Sequence, residues 1–126
     1  MLLVINYPSN PTGSSYSDEE LKAIADVCRK HGILVLSDEI YGRLTYSPEF
    51  PADADSVKLG LKHSRQHKSI AAYYPEGTVI LDGISKWAGA GGWRLGAFVF
   101  PKELSWLRDT MIAGASETYS SVCAPV

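Results

Sequence analysis

Four short apolar runs punctuate the chain, at Leu2 to Ile5, Ile33 to Leu36, Thr78 to Leu81 and Leu95 to Phe100, and each predicts a strand. Ile33 to Leu36 is apolar throughout, the pattern of a strand covered on both faces in a parallel α/β layer. Between the first two runs the period changes. Leu21, Ile24, Ala25 and Cys28 fall at i, i+3, i+4 and i+7, one face of a helix. Its start is marked by Ser17-Asp18-Glu19-Glu20, a capping box with acidic charge at the positive end of the helix dipole. Its end is marked by Arg29, Lys30 and His31 before Gly32. Strand, helix and strand then make one crossover unit. The connection between the third and fourth runs is short for a parallel crossover, so the last strand is predicted antiparallel to its neighbour. After Pro101, the stripe Leu104, Leu107, Met111 and Ile112 predicts a second helix that fades into Thr118 to Ser121. The fold class is therefore α/β, a mostly parallel sheet with one antiparallel strand and helices packed on it.

The remaining stretches are polar. Asn6 to Gly13 reads as a loop punctuated by Asn and Pro, and Ser69 to Tyr74 as a helical turn before Pro75-Glu76-Gly77. From Glu49 to Lys68 the chain is predicted to make a surface excursion. His31, His63 and His67 read as solvated surface, and Trp87, Trp93 and Trp106 as packing residues. With 126 residues the chain is long enough for one core, and 45% hydrophobic with 21% charged residues is a globular composition. A net charge of −2 argues against nucleic acid as a partner, and no apolar run is long enough to cross a membrane. Met1 to Ile5 has neither the basic start nor the length of a signal peptide. Cys28 and Cys123 lack metal-type spacing, so no metal is expected and a reducing, cytoplasmic setting is.

Candidate chemistry concentrates in Asp82 to Gly96, a connection carrying one lysine, one arginine and five glycines. Gly89, Gly91 and Gly92 let backbone approach a ligand and permit positive φ. A phosphate fits that surrounding: Arg94 brings a planar fork and Ser85 a hydroxyl donor. Lys86, among Ile84, Trp87 and Ala88, is expected to be partly desolvated, which frees its amine as a nucleophile. Asp38 ends a fully apolar strand, where a carboxylate is costly unless something meets it. Two readings stand for it: a cap on the following turn, or a partner for a cationic nitrogen. Asn10-Pro11-Thr12-Gly13 by itself is a turn.

Taken together, Gly83-Ile84-Ser85-Lys86-Trp87-Ala88-Gly89-Ala90-Gly91-Gly92-Trp93-Arg94-Leu95-Gly96 resembles the cofactor-lysine signature of the class I/II aminotransferases, pyridoxal 5'-phosphate (PLP) enzymes of fold type I. The resemblance implies that Lys86 forms the Schiff base and shuttles the proton at the α-carbon, while Ser85 and Arg94 hold the phosphate. Gly83 is the family's alternative without a hydroxyl, so one phosphate contact is absent. Asp38-Glu39-Ile40-Tyr41 is similar to the family's Asp-x-x-Tyr, which implies Asp38 on the pyridinium and Tyr41 on the ring phenolate oxygen. Glu39, by strand alternation, is expected to point away. Asn10 matches the asparagine placed beside the ring oxygen and the substrate carboxylate. The order of these segments is also the family's.

What the resemblance implies for the whole is a PLP-dependent aminotransferase moving an amino group between an amino acid and a 2-oxo acid, as a homodimer. Another PLP reaction on the same fold, a lyase or synthase, stays open, as does a truncated, non-catalytic product. Family members are roughly three times longer. Residues 1–126 are accordingly expected to be a partial large domain, without the family's earlier phosphate loop, ring-stacking aromatic and substrate-binding C-terminal domain. One sheet edge is expected to be raw and prone to self-association. The stretch between Tyr46 and Ser69 lengthens the Asp38 to Lys86 separation relative to the family.

Overall fold

The computed structural model describes residues 1–51, 63–65 and 67–118, with side chains described outside 46–51, 63–65 and 116–118. Its frame is a mixed sheet in the order β1-β2-β5-β6: β1 (Leu2–Asn6), β2 (Leu34–Asp38), β5 (Thr78–Gly83) and β6 (Gly96–Val99). β1, β2 and β5 run parallel, with Val4 opposite Leu36 and Leu36 opposite Val79. β6 runs antiparallel to β5, Leu81 facing Phe98, as the short connection requires.

The crossover from β1 to β2 is α1 (Asp18–His31). Both halves of its capping box form: Glu20 N donates to Ser17 Oγ and Ser17 N donates to Glu20 Oε2. Gly32 ends it at φ 60°, a left-handed conformation in which a Cβ is strained. The apolar stripe of α1 lies on one face of the sheet. Leu21, Ala25 and Cys28 pack with Ile5, Val35, Tyr7, Ile70 and Tyr74 into the core. The opposite face is open toward β1, where Leu2 and Val4 are 58% and 60% exposed.

Several expectations are corrected. The second helix, α2 (Ser105–Thr118), forms as predicted, but of its stripe only Leu104, just ahead of it, is buried, while Met111 and Ile112 are exposed. A helical stripe stays dry only against a second surface, and the groove it makes with Phe98 and Phe100 is open. Trp87, Trp93 and Trp106 are exposed rather than packed. Trp93, the more open of the first two, follows Gly91 and Gly92, which have no side chains to cover it. The polar excursion contains a two-stranded antiparallel pair, β3 (Tyr46–Pro51) with β4 (His63–Arg65). Residues 52–62 and 66 of that excursion, Cys123 and the chain beyond Thr118 lie outside the described residues, as do the side chains of Tyr46 and His63. His67 is not solvated: it is largely buried and bonded to Glu39. Among the described residues no helix is long and apolar enough to cross a membrane.

Candidate active site

The carboxyl ends of the three parallel strands lie side by side, Asn6 opposite Asp38 and Asp38 opposite Leu81. In an open α/β sheet that edge is where loops gather around a ligand. Asn10, Tyr41 and Lys86 each lie a few residues past one of these ends, so chain connectivity alone delivers them to the same rim. Asn6, unremarked in the sequence, ties two loops together. Its Oδ1 accepts from Asn10 N at 3.1 Å and its Nδ2 donates to the Asp38 carbonyl at 3.3 Å. The available signal was a polar residue closing an apolar strand.

Tyr41 is the point where the expected residues meet. Asn10 Nδ2 donates to its hydroxyl at 3.2 Å, and Lys86 Nζ stands 5.3 Å from its ring centroid. A cation at that range from an aromatic ring is attracted to it. Ser85 and Arg94 form a neighbouring group around Gly91: Arg94 Nη1 donates to the Gly91 carbonyl at 3.1 Å, and a Cβ at Gly91 would lie 3.9 Å from Ser85 Cβ. Arg94 itself has φ 53°, a left-handed conformation costing a non-glycine residue about 1–2 kcal/mol. Such strain is commonly kept where a side chain must be aimed. Of the glycines, Gly89 takes positive φ, while Gly91 and Gly92 do not.

Asp38 is half-buried, and its Oδ1 accepts from Ile40 N at 3.3 Å, so the turn-capping reading is realised. Among the described residues no contact joins its carboxylate to Lys86 or Ser85. Lys86 is exposed, which corrects the expected desolvation: Ile84 is half-buried, but Trp87 and Ala88 beside the lysine lie open to solvent. Gly83 is buried, and a Cβ there would meet Ile40 Cδ1 and the Leu95 carbonyl, both at 3.1 Å. Close packing thus accounts for the glycine. A cleft of about 560 Å³ opens beside Asn10 and Tyr41, lined also by Pro8, Ser15 and Thr45.

Two further groups escaped the sequence reading. Arg43 stacks its guanidinium 4.8 Å from the Trp87 ring and reaches Asp82 Oδ2 at 3.4 Å, bracing the lysine loop. Behind the turn lies a buried polar cluster. Glu39 points away from the rim as alternation predicts, and its Oε1 accepts from Ser37 Oγ (2.9 Å) and Ser69 Oγ (2.6 Å), while Oε2 meets His67 Nε2 at 2.8 Å. Burial opposes its charge, but the bonds from His67, Ser69 and Ser37 outweigh that and hold the carboxyl below its usual range. Nearby, burial pushes the Tyr7 hydroxyl up to about 12, where it accepts from Ile70 N at 2.6 Å. The signal for Glu39 was an acid in phase with core-facing Ser37; its partners His67 and Ser69 come from 28 and 30 residues away.

Comparison with known proteins bears on the family and the fold. The sequence profile of "Aminotransferase class I and II" matches residues 1–126. The aspartate aminotransferase of Geobacillus stearothermophilus is 43% identical over 105 residues, covering 81% of this chain and 23% of that protein. The asparagine–oxo-acid transaminase of Streptococcus mutans is 38% identical over 103 residues, 82% of this chain and 23% of that protein. The structure of Thermus thermophilus aspartate aminotransferase with maleate superposes with a TM-score of 0.74 at 32% identity, covering 95% of this chain and 26% of that one. The chain thus spans about a quarter of the length of the proteins it matches. With a mixed sheet of the same fold and a family match that runs from the first residue to the last, this chain belongs to the class I and II aminotransferases.

Proposed function

We propose that residues 1–126 are the lysine-bearing part of a PLP-binding large domain, and that the protein transfers an amino group between an amino acid and a 2-oxo acid. The observation that carries this reading is the meeting of Asn10, Tyr41 and Lys86 at one strand-end rim. The donor set suits a flat ring bearing an aldehyde, a phenolic oxygen and a phosphate. An accessible amine stands at Lys86, a hydroxyl and an amide at Tyr41 and Asn10, and a hydroxyl and a guanidinium at Ser85 and Arg94. Space is present as well, since a Cβ at Gly89 or Gly92 would meet nothing within 4 Å.

When bound, PLP supplies an electron sink for the pair released as a bond at the substrate α-carbon breaks. The chain's residues do the rest. Lys86 would hold the group through its aldehyde carbon and, once its amine is released there, would carry the proton to and from the α-carbon. The Asp38 carboxylate would hold the proton on the ring nitrogen. Tyr41 and Asn10 would orient the phenolic oxygen, and Ser85 and Arg94 would anchor the phosphate. Relatives named for aspartate and asparagine make amino dicarboxylic acids and their amides the first donors to try. A cytoplasmic setting, supported by the free buried thiol of Cys28, and a homodimer, as the family resemblance implies, complete the reading.

Borohydride reduction in the presence of PLP, followed by peptide mass mapping, tests the site. A pyridoxyl group on Lys86 that vanishes in Lys86→Ala is expected; label spread evenly over exposed lysines such as Lys22, Lys30 and Lys102 rejects the reading. Incubation with amino acids then separates the reactions. Conversion to pyridoxamine phosphate marks transamination, and release of ammonia without it marks a lyase. The exposure of Lys86 favours a second reading, binding without turnover, which predicts the label on Lys86 and neither product.

A further inference from the structure

We infer that the buried Glu39–His67 pair is a positioning device for the turn that carries Asp38 and Tyr41, an inference that rests on the site proposed above. The turn is gripped from behind at every residue that faces the core. Glu39 N donates to the Leu81 carbonyl at 2.9 Å, fixing the turn to β5, and Gly42 N donates to the Glu39 carbonyl at 2.8 Å, closing it. The Glu39 carboxylate, 8% exposed as a residue, spends its oxygens on Ser37, Ser69 and His67. The imidazole in turn supports the backbone. A Cβ on Gly42 would lie 2.7 Å from His67 Cδ2, so the turn rests directly on the ring, and the Tyr7 ring flanks that imidazole at 5.0 Å.

Neither Glu39 nor His67 reaches the rim. Their effect passes through the backbone, because strand alternation puts Asp38 on the side opposite Ser37 and Glu39, and the turn then presents Tyr41 to Asn10 and Lys86. A shift of the turn by about 1 Å would break the 3.2 Å contact of Asn10 with Tyr41 and misplace groups that must meet a rigid ligand. A buried hydrogen-bonded carboxylate–imidazole contact is weak grounds for stability, and fixing one arrangement is the better-attested use of such groups. The groups facing Glu39 are Ser37 on β2, Tyr7 after β1, and His67 and Ser69 before the Ile70 turn. Arg43 and Asp82 line the small cavity beside it, about 250 Å³.

Glu39→Gln keeps the shape and removes the carboxylate charge; Ser69→Ala is the milder variant that leaves the Glu39–His67 contact in place. Amide hydrogen exchange on the cofactor-free protein reads the turn directly. Exchange at Gly42 and Leu44 is expected to rise about tenfold in Glu39→Gln and less in Ser69→Ala, with α1 amides from Leu21 to Cys28 unchanged. Equal acceleration in α1 and the turn, or an unchanged turn, overturns the inference. On the PLP-loaded protein, Glu39→Gln is expected to raise the half-saturating PLP concentration about tenfold and to move the pH midpoint of the bound cofactor's visible band. Loaded protein with neither change overturns it too. If the unaltered protein takes no PLP on Lys86, the proposed function fails, and the exchange result still decides whether this pair holds the turn.

Discussion

Glu39 keeps a charge where water barely reaches, and the sign of its pH dependence follows from that. Its folded pKa lies below the ordinary 4.5, so the stabilisation it brings is fully present above pH 4.5 and is lost as pH falls through the depressed folded value. Urea midpoints measured across this window should converge for parent and Glu39→Gln as pH drops, the parent losing the larger part. A midpoint difference that stays constant from pH 6 to 3 would contradict the assignment. Tyr7 gives a second prediction. Its hydroxyl is the acceptor for Ile70 N, so Tyr7→Phe strands a buried amide and should cost about 1–3 kcal/mol by chemical denaturation. Tyr7 was legible as part of a loop and no more. Its role depends on a residue 63 positions away.

Elements were the most readable level, because their signals are local. Ser17, Glu20 and Gly32 bracket α1 by side-chain and backbone chemistry that acts within a turn, and the helix runs between them. Ser17→Ala should therefore lower stability by about 1 kcal/mol, seen as a shift in the denaturation midpoint at unchanged slope. The antiparallel β6 was also legible, since a short connection leaves no room for a crossover. Burial of α2 was not. Its stripe has the right period, but whether a stripe is covered depends on what lies opposite, and periodicity says nothing of that. The same gap explains the tryptophans, whose apolar area invites a packing reading while nothing in the local pattern says what lies opposite them.

Over the whole molecule, one sheet face is covered by α1 and the other presents Leu2, Val4 and Phe98 at 58%, 60% and 50% exposure. Apolar surface arranged on an open sheet drives association. The protein should self-associate with rising concentration in sedimentation velocity, and Val4→Lys with Phe98→Lys should shift it several-fold toward monomer; an unchanged distribution would place the contact elsewhere. The rim of the site shows how far sequence reaches. Ser85, Lys86 and Arg94 stood out by residue type in a glycine-rich connection and Asp38 as a carboxylate closing an apolar strand, whereas Asn10 and Tyr41 were singled out by resemblance to the family. By itself the sequence determined the strands, the bounded first helix and the family, all set by neighbours along the chain or by residue identity. Only the tertiary structure decided that Lys86 is exposed, that Asn10 and Lys86 meet at Tyr41, and that His67 lies under the turn rather than in solvent. Those outcomes depend on contacts between distant segments, whose burial and partners no local pattern contains.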